Sequence, residues 1–282
     1  MKKHILYLCY NREKETKSSL YHLSKCYNIS DYTLVVVRQE GDSEVAKLIS
    51  SISFITTHHL VTKFRVNSYS SINQNVHLGL SFCFDTLNSD HVLILEDDIL
   101  VSPDILIYTN ELTKKYLMRS DFRAVNCFSS EKFNLEKIGE YGYFNYGIGQ
   151  GWCITKYTWK SLKLFWTGNE NMHFDALIEP YIKTGFVCMP SCSRIKNIGW
   201  GSLSSHSSQN KNDEFYVKLE TSFVNDSHNF NFGYYVNKKM KYTWREDCLR
   251  YNGTKFQSEI KASFFFCKYF IKIILTRLQL LG

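Results

Sequence analysis

The segment His91-Val92-Leu93-Ile94-Leu95-Glu96-Asp97-Asp98-Ile99-Leu100-Val101-Ser102-Pro103-Asp104 carries the clearest signal in the chain. Residues 92–95 are four branched apolar side chains in a row, the pattern of a parallel strand covered on both faces. The run ends in three consecutive acids and turns apolar again at once. Three carboxylates at the mouth of a buried strand repel one another and lose hydration, and a divalent cation relieves both costs. In open α/β sheets ligands bind outside the carboxyl ends of the strands. The segment therefore points to a site for a metal and an anionic substrate, most simply a nucleotide diphosphate. The plainer alternatives are a solvated turn or the acidic bias of the next helix, because Ser102 reads as an N-cap and Pro103 as a first helical residue. Glu96 and Asp97 stand several residues before that cap, too far for the helix dipole to account for them.

Outward from this segment the pattern alternates. Residues 4–10 read as a strand, 14–27 as a polar-rich helix, 34–37 as a second strand and 42–52 as another helix. Val76, Leu80, Cys83, Phe84 and Leu87 form a helical stripe within 71–87. A helix over 103–117 follows the acidic strand. Such alternation predicts an α/β fold, a Rossmann-like, mostly parallel sheet flanked by helices. Beyond residue 120 the pattern loosens. It gives strands at 122–128, 152–155 and 186–189, helices at 156–166 and 173–183, a Gly/Tyr/Asn-rich loop at 141–151 and a Gly/Ser-rich flap at 198–212. No boundary is visible before about residue 250. The reading is one domain over 1–250, with a nucleotide-binding half (1–120) and an acceptor-binding half (121–250).

Composition bounds the rest. The chain has 282 residues, a hydrophobic fraction of 44% and only 3 prolines, enough apolar content for a sizeable core and little room for long linkers. Its 9 cysteines are scattered and mostly sit in apolar runs, as buried thiols do. Cys188 and Cys192 lack the second Cys/His pair of a structural zinc site. The apolar run after Met1-Lys2-Lys3-His4 is too short for a signal-peptide core, so a reducing, cytoplasmic setting is expected. The formal charge is +7, and from Lys255 onward five Lys/Arg face one Glu. Ile260, Phe264, Cys267, Ile271, Ile274, Leu278 and Leu281 would share one face of a helix over 255–282. Basic, aromatic and amphipathic, this tail is read as a C-terminal helix lying on the anionic inner face of the cell membrane. A helix packed on the core or on a second subunit is its alternative. No nucleic-acid-binding motif is present.

The 95–104 segment resembles the metal motif of GT-A glycosyltransferases, closest to the N-acetylglucosaminyltransferase I type, in which an acidic triplet precedes a short apolar stretch and Pro-Asp. The likeness runs along most of residues 4–210. Cys9-Tyr10-Asn11-Arg12 resembles that family's first strand and nucleotide-contacting arginine. Gly149-Gln150-Gly151-Trp152 resembles its Gly-x-Gly-Trp stretch, and Phe174-Asp175 the segment with its catalytic aspartate. Ser193-Arg194 and residues 199–206 resemble its Ser-Arg, Gly-rich and Ser-His flap.

The resemblance implies a metal-dependent, inverting glycosyltransferase using Mn²⁺ or Mg²⁺. The donor it implies is a nucleotide sugar, UDP-linked and GlcNAc-like by family default, and the acceptor a glycan or lipid-linked glycan in surface polysaccharide or glycolipid synthesis. It places Asp98 on the metal, and Asn11, Arg12, Glu96, Asp97, Trp152, Arg194 and His206 on the nucleotide sugar. Either Glu40 or Asp42 would face the base. Asp175 is the candidate general base, with Glu179 one helical turn later as its rival. The family's membrane anchor and its paired acids before tryptophan have no counterpart here. Two other readings stay open. A sugar-nucleotide nucleotidyltransferase also uses acidic metal ligands, but Asn11-Arg12-Glu13-Lys14 lacks the glycine-rich phosphate loop of such enzymes. A non-catalytic, membrane-associated binding module is the other, and oligomerisation is compatible with all three.

Overall fold

The computed structural model describes residues 1–63, 68–129, 140–145, 148–170 and 173–199. The expected tail helix at 255–282 and nearly all of the 198–212 flap, with His206, lie outside the described residues.

Strands β1 (Lys3–Cys9), β2 (Thr33–Gln39), β3 (Thr56–Thr62) and β4 (His91–Glu96) are joined by helices α1 (Glu13–Ser24), α2 (Ser43–Ser50) and α3 (Ser68–Ser81). After a short β5 (Ile99–Val101) come α4 (Ile105–Tyr116), β6 (Phe122–Asn126), β7 (Tyr141–Phe144), β8 (Trp152–Thr155), α5 (Lys156–Leu162), α6 (Phe174–Ile182), β9 (Phe186–Pro190) and β10 (Ile195–Asn197). The main sheet has the order β3-β2-β1-β4-β8-β6-β9-β7, and β5 pairs with β10 apart from it. The four strands of the first half run parallel, and β6 is parallel to β9; β8 and β7 enter antiparallel.

The near-continuous apolar runs of β1, β2 and β4 follow from burial on both faces. Ile5, Tyr7, Leu34, Val36, Leu93 and Leu95 enter one core with Leu20, Leu23, Val45, Ile49 and Leu112 of the helices on that side. Leu6, Leu8, Val35, Val37, Val92 and Ile94 enter the other, against Val76, Leu80, Trp159 and the α6 side chains. The sheet is thus the middle of three layers. All seven cysteines among the described residues are buried and outside any disulfide.

Four expectations need correction. β3 was not foreseen, because it is an edge strand with alternating half-exposed residues and so carries no apolar run. β7 lies inside the expected loop 141–151; its Tyr-Gly-Tyr-Phe sequence pairs with β9 at the other edge of the sheet. The helix after the acids starts at Ile105, not Pro103: Pro103 gives its carbonyl to Tyr27 N (2.8 Å), and Ser102 Oγ donates to Asp104 Oδ1 (2.6 Å), with Asp104 at the N-cap position. The residues before it are drawn instead into β5, by pairing with β10.

His91 begins β4 at the end of the sheet away from the acids. It is fully buried, its two ring nitrogens have no partner among the described residues, and its ring meets Tyr32 edge-on at 6.0 Å. Burial, then the charge of Lys3, lowers its pKa from the ordinary 6.5 to about 4. The folded chain keeps this ring neutral while the unfolded chain protonates it. The stability it leaves intact above pH 6.5 is therefore lost as pH falls towards 4, by about 3 kcal/mol for a shift of this size. His91→Phe should remove that part of the acid sensitivity. Urea unfolding of both proteins at pH 7 and pH 4 measures it, and equal losses in the two would acquit His91. Other titrating groups act in both proteins and cancel in the difference.

Candidate active site

Consecutive strands leave β1 in one direction, through β2 to β3, and β4 lies on its other side. The sheet thus has a topological switch point between β1 and β4, where a crevice opens at the strand ends. Leu8 pairs with Glu96 in the parallel register, so the residues that follow each strand emerge side by side. Tyr10 N donates to Asp97 Oδ2 at 3.1 Å. Arg12 Nη1 lies 3.7 Å from Asp97 Oδ1 and makes an ion pair with Asp98 Oδ2. One guanidinium thus bridges two carboxylates that are each only 6% exposed.

The electrostatics are unbalanced. Loss of solvent, then repulsion from Asp98 and Asp97, lifts the Glu96 carboxyl to about 8. Burial and Asp98 lift Asp97 to about 7 against the pull of Arg12. Burial raises Asp98 as well, opposed by Arg12. A single arginine does not neutralise three acids, and Asp98 Oδ1 is buried with no hydrogen-bond partner among the described residues. A buried carboxylate oxygen without a donor is costly and calls for a cation or a donor.

The chain returns over this site through β10. Asn197 pairs with Ile99, Ile198 N donates to Asp98 O at 2.8 Å, and Gly199 N donates to Asn197 Oδ1 at 2.8 Å. A Cβ on Gly199 would overlap Asp98 Oδ2 and stand 2.8 Å from Arg12 Nη1, so only glycine lets the backbone pass this close.

Asp175 sits in the first turn of α6. Its Oδ1 accepts from His173 Nδ1 (2.5 Å) and from Ala176 N (2.6 Å), while Oδ2 lies on the side of Gly149. Burial works to raise its pKa, but the His173 and backbone hydrogen bonds prevail and hold the carboxyl below the usual range. Its charge reaches Glu96, so the two acids share one electrostatic environment. Glu179 is exposed and ion-paired with Lys183 (2.7 Å).

Two expected ligand contacts are corrected. Arg194 is fully buried: Nε binds Asp104 Oδ2 (3.0 Å), Nη1 binds Cys192 O (2.6 Å), and the guanidinium lies over the Tyr108 ring at 5.3 Å. It ties β10 to the start of α4 and has no free face for a nucleotide. Trp152 is 1% exposed and stacks on Phe174 (5.6 Å, 15°), which stacks in turn on Trp166 (6.4 Å, 18°). It holds the start of α6, and hence Asp175, in place and does not face a sugar.

Of the pair after β2, Asp42 caps α2 by accepting from Glu44 N (2.8 Å) and Val45 N (3.0 Å), whereas Glu40 is exposed at the same sheet end. Asn11 is exposed in the turn after β1. Three contributors escaped the sequence reading: the Tyr10 amide, the Gly199 backbone and His173. For His173 a signal existed, a histidine at the N-cap position two residues before the candidate acid.

No family model and no curated protein matches the chain. Among solved structures, S. aureus TarS 1-349 superposes with a TM-score of 0.51 at 13% identity, over 69% of this chain and 59% of that one. TarS 1-349 in complex with UDP-GlcNAc gives 0.51 at 12% identity, over 79% and 62%. The chain therefore spans about three fifths of that fragment, and 36% of the chain in a further crystal structure of S. aureus TarS. At such identities the likeness speaks for the fold. With the strand order and the acid-lined switch point described above, it establishes that this chain has a GT-A fold, a mostly parallel α/β sheet flanked by helices.

Proposed function

We propose that the chain is a metal-dependent glycosyltransferase of the N-acetylglucosaminyltransferase I type. It moves a sugar from a nucleotide sugar, UDP-linked and GlcNAc-like, to a glycan or lipid-linked glycan with inversion. The observation that carries this reading is the convergence of Arg12, Asp97 and the orphaned Asp98 Oδ1 at the β1/β4 switch point, with Asp175 close enough for its charge to act on Glu96. The UDP-GlcNAc complex of TarS, which shares the fold, supports the choice of donor.

Among the described residues no three His, Cys, Asp or Glu side chains form a metal cage. Mg²⁺-type ions in phosphate chemistry need none, since one or two carboxylates, water and substrate phosphate oxygens complete the shell. Asp98, with a buried oxygen lacking a donor and excess negative charge around it, fits that partial role for Mn²⁺ or Mg²⁺. Bound there, the cation would offset the charge that grows on the departing diphosphate.

The remaining work falls to side chains. Arg12, planar and permanently charged, suits a phosphate as well as it suits the two aspartates it now bridges. Asn11 and Glu40, exposed after β1 and β2, would meet the nucleoside. Glu96 and Asp97 would orient sugar hydroxyls or metal-bound water. Asp175, oriented by His173, takes the proton of the attacking acceptor hydroxyl through Oδ2; Glu179, turned to Lys183, is the weaker choice. His206 would reach the diphosphate from the flap. The basic segment at 255–282 would bring the enzyme to anionic lipid on the cytoplasmic face, where surface polysaccharide or glycolipid is assembled.

Three outcomes test this. Purified protein offered UDP-, GDP- and CMP-sugars with Mn²⁺ should release nucleotide from one class, and Asp98→Asn should cut that release about a hundredfold. Absence of metal-dependent release and of binding to every donor would end the enzyme reading. Asp175→Asn should lower transfer by about 10²–10⁴-fold while leaving donor affinity unchanged; retained turnover would move the base elsewhere. Gly199→Ala, by crowding Asp98 and Arg12, should weaken donor binding about ten- to a hundredfold, the equivalent of about 1–3 kcal/mol of overpacking. Calorimetric titration of the donor reads this, and wild-type affinity would show that the backbone there does not bound the donor site.

A further inference from the structure

A cavity of about 290 Å³ opens beside Asp175, lined by Ile148, Asp175, Ala176, Glu179 and Ile182. Four of these come from one face of α6, at positions one, two, five and eight of a run beginning at Asp175. Ile148, from the stretch before β8, completes the lining among the described residues.

The chemistry of this wall is one-sided. Asp175 and Glu179 contribute carboxylates. Pro180 lies inside α6 and has no N–H, so the Ala176 carbonyl lacks the donor that a helix would supply four residues on. Among the described lining residues, the polar side chains are thus the Asp175 and Glu179 carboxylates, which only accept hydrogen bonds when ionised and are negatively charged. The cation nearest by contact, Lys183, is already paired with Glu179. Ile148 and Ile182 provide apolar surface between them. Asp175 has one oxygen fastened by His173 and Ala176 N, which fixes the other on the Gly149 side, next to Ile148.

We infer that this cavity is the acceptor subsite and that it takes an uncharged sugar ring. Several hydroxyls on such a ring donate to Asp175, Glu179 and the Ala176 carbonyl, and its C–H face rests on Ile148 and Ile182. A phosphate or carboxylate at the receiving end would meet two carboxylates and, among the described lining residues, no Lys or Arg, a like-charge placement that opposes binding. The volume, at the lower end for ligand pockets, holds one ring and not an oligosaccharide. The assignment rests on Asp175 being the end of the site that receives the acceptor.

Its test is independent of the donor. Binding of methyl glycosides of neutral hexoses to the full chain, without nucleotide, is followed by ligand-observed NMR, beside hexose 6-phosphates and hexuronates. Neutral glycosides should bind at millimolar concentration, and the anionic sugars about tenfold or more weakly, which corresponds to at least one unit of log affinity. Ala176→Phe, at an exposed helix position, should fill the cavity and abolish glycoside binding without changing the melting temperature or nucleotide-sugar binding. Glu179→Gln should narrow the gap between neutral and anionic sugars. Glycoside binding that survives Ala176→Phe, no glycoside binding by the wild type, or an equal or better response to the anionic sugars would overturn the subsite. Loss of nucleotide-sugar binding by the wild type, measured separately, would instead count against the glycosyltransferase reading.

Discussion

Two carboxylates held out of water, with a third, half-buried one beside them, against one guanidinium set the terms for the rest of this molecule. Two strands end side by side because β1 and β4 are parallel neighbours, so Arg12 meets Asp97 and Asp98 with no freedom to retreat into solvent. The imbalance shows in the raised protonation of Glu96 and Asp97 and in an Asp98 oxygen without a donor. A stability-optimised fold would not keep such a cluster, because buried charge without a partner costs several kcal/mol per ion. Its persistence is best understood as strain held for a cationic or phosphate-bearing ligand.

The rest of the described chain braces this cluster. The buried Arg194–Asp104 pair locks β10 to the start of α4, and β10 in turn lays Ile198 and Gly199 on Asp98. On the other side, the Trp152–Phe174–Trp166 stack fixes the first turn of α6, where His173 and the Ala176 amide orient Asp175. Both braces use side chains that the sequence reading had assigned to ligand contact. Buried stacking and a buried ion pair spend little on ordering at the moment of binding, and preorganisation of this kind is what a positioned acid needs.

Much of the scaffold was legible because parallel strands covered on both faces must be apolar without interruption. That demand marks residues 5–9, 34–37 and 92–95 unmistakably. The edge strands β3 and β7 were not legible for the converse reason: each has one side unpaired, and neither needs a continuous apolar run. The short β5 and β10 were invisible because their pairing joins residues far apart in the chain. The acids of 96–98 could be located from sequence, since an apolar strand that ends in charge declares its own end.

Local sequence determined which strands are central, that charge collects at the end of one of them, and that the fold alternates strand with helix. Those properties depend on neighbours along the chain, and periodicity records them. Tertiary structure alone decided which polar groups are spent on the protein and which are left for a ligand. Arg194 and Trp152 have residue types suited to phosphate and sugar, yet Asp104 and Phe174, brought from distant segments, claim them first. Asp98 and Asp175 keep an oxygen uncommitted because no donor arrives from elsewhere among the described residues. Whether a side chain has a partner is a fact of three-dimensional proximity, and one-dimensional order does not contain it.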